Sequence, residues 1–125
     1  GFCLVGSEMC IRDSYEEVHP AVIGALREVA RATHAEEKPL GICGELAGTP
    51  VGAVLLMAMG YHVLSMNATH LPKVKWVMRN FKRRDARRIL AKVLRMDTAQ
   101  EVSRFVNQQL VEAGLERVVP SRQVG

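Results

Sequence analysis

The residue of this chain best placed to do chemistry is a thiol set among glycines, in Gly41-Ile42-Cys43-Gly44-Glu45-Leu46-Ala47-Gly48. The apolar run Leu40 to Cys43 reads as a short strand, so Cys43 falls at a strand end, where α/β folds gather their ligand sites. Gly41, Gly44 and Gly48 would let the backbone approach a ligand closely. Thiols ordinarily titrate near pH 8.5, and no lysine or arginine adjoins Cys43 in sequence. A neutral side chain is therefore expected, better suited to donating a proton than to nucleophilic attack. The plain alternative is a small apolar residue buried in the core. Glu45, two residues on, either faces the same site or pairs with a nearby base.

The other candidate ligands are four histidines, His19, His34, His62 and His70. They lack the close spacing of a metal site, and they read as one helix-cap residue and three surface or packed positions.

The elements that must position Cys43 are legible from periodicity. Proline is well tolerated at the first helical position, so His19-Pro20 opens a helix over about 20–36, with Val22, Ile23, Leu26, Val29, Ala30 and Thr33 on one face. Lys38-Pro39 stops it before the cysteine strand, which carries few charges, as expected when both faces are covered. Thr49-Pro50 opens a second helix that runs to Met59 and is ended by Gly60. Tyr61 to Met66 reads as a second strand, and Leu71-Pro72 starts a helix running to about Arg79. Strands joined by a helical crossover pair in parallel, and helices must shield them. Two strands cannot close a sheet, so the expectation is the C-terminal piece of a larger α/β domain.

Two helices complete the piece. Ala86, Ile89, Leu90, Val93 and Leu94 form an apolar stripe within Lys82 to Met96, with Lys82, Arg83, Arg84, Arg87 and Arg88 largely off it. Thr98-Ala99-Gln100-Glu101 matches a capping box. The helix after it turns Val102, Phe105, Val106 and Leu110 inward and ends near Gly114.

Composition narrows the class. A chain of 125 residues, 48% hydrophobic and 24% charged, is long enough to bury the core of one globular domain. The longest apolar stretch, Val51 to Met59, is about half of the roughly 20 residues that span a bilayer, so no transmembrane helix and no membrane partner are expected. The formal charge of +4 sits mostly in residues 73–88 and fits an anionic substrate, nucleic acid or nothing specific. Residues 1–14 have no sustained period and no signal-peptide pattern, and they resemble a translated adapter scar. Setting them aside removes Cys3 and Cys10. Cys43 is then the single cysteine of the domain, 15–119, which excludes an internal disulfide framework and points to a reducing compartment, the cytoplasm by default. Residues 120–125 read as a frayed tail.

The run from Tyr15 through Arg79 resembles a known family. His19-Pro20-Ala21-Val22, the cysteine motif and Leu64-Ser65-Met66-Asn67-Ala68 are similar to the end of the phosphoenolpyruvate-binding barrel of phosphoenolpyruvate-protein phosphotransferase, enzyme I of the bacterial phosphotransferase system. Leu71-Pro72-Lys73-Val74-Lys75-Trp76 and Glu112-Ala113-Gly114-Leu115 look closer to its nitrogen-related branch than to its sugar-transport branch. Pyruvate phosphate dikinase and phosphoenolpyruvate synthase share the cysteine strand and stand as the alternative barrels.

The resemblance implies a (β/α)8 barrel, a TIM barrel, with Leu40 to Cys43 as its seventh strand and Tyr61 to Met66 as its eighth. It implies that Cys43 protonates the enolate carbon left when phosphate departs, giving pyruvate, with Gly44 and Glu45 beside the substrate. It also implies Mg2+ as cofactor, a histidine-containing phosphocarrier protein as partner and a homodimer. The phosphohistidine, the phosphate-clamping arginines and the metal ligands would all lie outside this chain, which is expected to be inactive alone. Thr49 departs from the pattern, standing where an aspartate is usual, although threonine still caps a helix. A different class of function is a basic nucleic-acid surface on Lys73, Lys75, Arg79, Lys82, Arg83, Arg84, Arg87 and Arg88, with Trp76 and Phe81 interleaved. A solvated helical face is the simpler account of that run, and no nucleic-acid partner is expected.

Overall fold

The computed structural model describes residues 18–119; the expectations for 1–14 and 120–125 lie outside them. Helix α1 (Pro20–Ala35) starts where His19 Nδ1 accepts the Ala21 amide at 3.0 Å. It buries Pro20, Ile23, Leu26 and Ala30. Val29, expected on that stripe, is instead 54% exposed, because it precedes Ala30 by one residue and is turned about 100° from it.

Strand β1 (Gly41–Cys43), helix α2 (Pro50–Met59), strand β2 (Val63–Ser65) and helix α3 (Leu71–Asn80) follow in the anticipated order. Short 3-10 turns at Leu46–Gly48 and Ala68–His70 precede α2 and α3. Each strand is shorter than its apolar run. The strands pair in parallel, with Gly41 opposite Val63, Ile42 opposite Leu64 and Cys43 opposite Ser65.

Burial alternates along both strands. Ile42 and Leu64 pack against the core, whereas Gly41, Cys43, Val63 and Ser65 form an exposed face. Among the described residues the helices shield one side of the sheet and leave the other open. The low charge of these strands follows from glycine, valine and serine on the open side.

Helix α2 is the centre of the core. Val51 to Met59 are all buried, as a helix that is apolar all round must be. It packs against α1, α3 and the two later helices, α4 (Arg83–Val93) and α5 (Ala99–Glu112). Gly60 ends it at φ 87°, where a β-carbon would also fall 2.6 Å from His34 Nε2. Two further bonds tie α1 to this region: His34 Nε2 to the Met59 carbonyl at 3.3 Å, and Tyr61 Oη donating to the Leu26 carbonyl at 3.0 Å. Among the described residues no helix is long and apolar enough to cross a membrane.

Helix α4 buries Ala86, Ile89, Leu90 and Val93 and exposes Lys82, Arg83, Arg84, Arg87 and Arg88 on its flank. Arg88 pairs with Asp85 at 2.8 Å. Phe81 is buried, so it does not interleave with these cations as a stacking surface would require. At the start of α5 the Thr98 hydroxyl accepts the Glu101 amide at 3.1 Å and approaches Glu101 Oε1 at 3.2 Å. The capping box is therefore closed through the hydroxyl rather than through the threonine backbone amide. Phe105, expected inward, is half-buried with Lys92 Nζ 5.6 Å from its ring centroid.

Candidate active site

Cys43 is the last residue of β1, and its side chain is exposed. Among the described residues it fills no part of the core. The register sets it beside Ser65, the last residue of β2, on the open face of the sheet. The C-terminal ends of the two parallel strands therefore deliver their side chains and following loops to one place.

Those loops form a cavity of about 310 Å³ lined by Cys43, Gly44, Glu45, Ser65, Met66, Asn67 and His70. Gly44 makes the turn possible, since φ is 125° there, a region that side chains disfavour. Its amide continues the ladder, donating to the Ser65 carbonyl at 3.4 Å. Glu45 is exposed at the start of the Leu46–Gly48 turn and makes no capping bond there. All three residues singled out in the sequence, Cys43, Gly44 and Glu45, are thus brought to one cavity. Gly41 and Gly48 are not: a β-carbon at Gly41 would meet Val63 at 3.2 Å, and one at Gly48 would meet the His70 ring at 3.2 Å.

The second half of the cavity wall was not assigned from sequence. Ser65, Asn67 and His70 arrive from the end of β2 and the turn after it. The strand-end rule that selected Cys43 applies equally to them. The sequence alone marks His70 only as a surface or packed histidine.

The arrangement offers a thiol, a carboxylate, an imidazole, a hydroxyl and an amide around a small space open to solvent. Such a set can bind a small polar substrate and exchange protons with it. It does not make a magnesium site. Among the described residues no three His, Cys, Asp or Glu side chains cluster, and the cavity holds the single carboxylate of Glu45 where Mg2+ takes octahedral oxygen ligands.

A parallel βαβ unit with helices on one side of its sheet defines an α/β domain, and comparison with known proteins places it. The chain belongs to the PEP-utilising enzyme family, matching the model of its PEP-binding domain over residues 6–83. The chain is similar to phosphoenolpyruvate-protein phosphotransferase of Haemophilus influenzae, with 38% identity over 101 residues, 81% of this chain and 18% of that protein. The Geobacillus stearothermophilus protein of the same name is 35% identical over 75% of this chain and 16% of its own length. A Salmonella typhimurium protein named phosphoenolpyruvate-dependent phosphotransferase system is 32% identical over 81% of this chain and 14% of its own. The chain spans less than a fifth of the length of these relatives.

Proposed function

We propose that this chain is the closing segment of a phosphoenolpyruvate-binding (β/α)8 barrel in a phosphoenolpyruvate-protein phosphotransferase, and that Cys43 is its proton donor. The observation that carries the reading is the position of Cys43: at a parallel strand's C-terminal end, exposed, on the sheet face opposite the helices. In a barrel wall the helices cover the outer face and the strand ends carry the site. The open face of Gly41, Cys43, Val63 and Ser65 suits the inner side of such a wall.

The reaction divides between segments. The phosphoryl group of phosphoenolpyruvate passes to a histidine elsewhere in the enzyme and then to a histidine-containing phosphocarrier protein. What is left is the enolate of pyruvate. Cys43 Sγ–H gives its proton to the enolate carbon, forming the C–H bond of pyruvate and leaving a thiolate. Gly44 gives the substrate access to the thiol, and Glu45 and Asn67 flank it. Magnesium, which the reading assigns to the enzyme, would be held by carboxylates of other strands, since the residues here do not fit it. A cytoplasmic homodimer of the nitrogen-related branch is the finer form of this proposal, resting on the Leu71–Trp76 and Glu112–Leu115 similarities. Deleting the phosphocarrier of each branch in turn and measuring phosphate transfer would assign the branch.

The test is Cys43→Ala in the full-length enzyme that carries this segment. Multiple-turnover pyruvate formation should fall by about 100-fold or more, the usual worth of a positioned acid. Unchanged turnover would sink the acid role.

A further inference from the structure

We propose that His70 returns the proton to Cys43 after each turnover, an inference that rests on the acid role just given to Cys43. A thiol that has protonated carbon is left as a thiolate, and the next cycle needs the S–H bond back. Besides Cys43, the ionisable side chains lining the cavity are Glu45 and His70. An ionised carboxylate only accepts hydrogen bonds, whereas an imidazolium carries two N–H donors.

The fold holds His70 in place through its own turn and through Gly48. Its amide donates to the Asn67 carbonyl at 2.9 Å, and the Asn67 side chain caps the turn by accepting the Thr69 amide at 3.2 Å. The ring lies against the backbone of Gly48, where a β-carbon would come within 3.2 Å of Cγ and Cδ2. Gly48 thus makes room for this imidazole, joining the turn after β1 to the turn after β2. The ring is half-buried and lines the same cavity as the Cys43 thiol.

The step is balanced. An N–H bond of the His70 imidazolium breaks and the Cys43 S–H bond forms, turning imidazolium and thiolate into imidazole and thiol. Solvent then reprotonates the imidazole. His70 acts on substrate only through Cys43 and so is a relay rather than a catalytic residue.

The experiment uses the full-length enzyme with His70→Asn, phosphoenolpyruvate and excess phosphocarrier. Single-turnover phosphorylation of the enzyme should stay within about twofold, while multiple-turnover pyruvate formation should fall by about tenfold or more. Added imidazole should restore turnover, and 1,2,4-triazole, of the same shape but far less basic, should not. Unchanged pyruvate formation, equal loss of both steps, or equal rescue by both azoles would overturn the relay. Cys43→Ala run in parallel separates the two readings: if it turns over normally the acid role falls, and if it is impaired while His70→Asn is normal only the relay falls.

Discussion

Thr49 Oγ1 donates to the Leu46 carbonyl at 3.1 Å, and the same oxygen accepts the Gly52 amide at 3.0 Å. One hydroxyl thus ties the turn that follows the cysteine strand to the first turn of α2. A β-carbon on Gly52 would collide with the Leu46 carbonyl, so the two segments are in backbone contact. Thr49 is therefore an N-cap with a second bond.

The two bonds separate by substitution. Thr49→Asp keeps the acceptor for Gly52 but has no proton for Leu46, whereas Thr49→Val loses both. In urea denaturation of the chain, Val should cost about 1 kcal/mol and Asp distinctly less. Equal losses would show that the cap to Gly52 contributes nothing.

Tyr61 predicts a response to alkali. Its hydroxyl is buried and donates to Leu26, and burial pushes the phenol above its ordinary 10.0. The folded state then holds this proton more tightly than the unfolded chain. The resulting stability is fully present below pH 10 and is lost as pH rises through the folded value. Tyr61→Phe should cost about 1 kcal/mol at pH 7 and should narrow its deficit against the parent chain above about pH 10. Parallel stability curves across that range would contradict the burial argument.

Asn107 predicts the opposite sign of change. It is 4% exposed on α5, and its Oδ1 has no hydrogen-bond partner among the described residues. An unsatisfied buried carbonyl costs about 1–3 kcal/mol. Asn107→Leu, which keeps the branched shape and the number of side-chain heavy atoms but carries no polar atom, should raise the midpoint of thermal unfolding. A lowered midpoint would show that the amide is satisfied in solution.

Helices were the most legible part of this fold, because their signals are local. His19-Pro20, Thr49-Pro50 and Thr98 mark starts, and Gly60 marks an end at φ 87°. The sheet was harder. Strands of three residues carry too few side chains to show alternation, so the exposure of Val63 and the open face could not be read from Tyr61 to Met66. At the site, Cys43 stood out because a thiol between glycines is rare chemistry in a short span. His70 did not, since its meaning comes from Gly48, 22 positions earlier, and only folding brings them together.

The turn at Gly44 has a consequence for tracing this domain among its kin. Its φ of 125° is a demand of shape, whereas the thiol beside it, in the acid role proposed for it, answers a demand of chemistry. A descendant that abandoned proton transfer would be free to exchange Cys43 long before it could exchange Gly44. Reading the two positions together would then separate working copies from retired ones that keep the same outline.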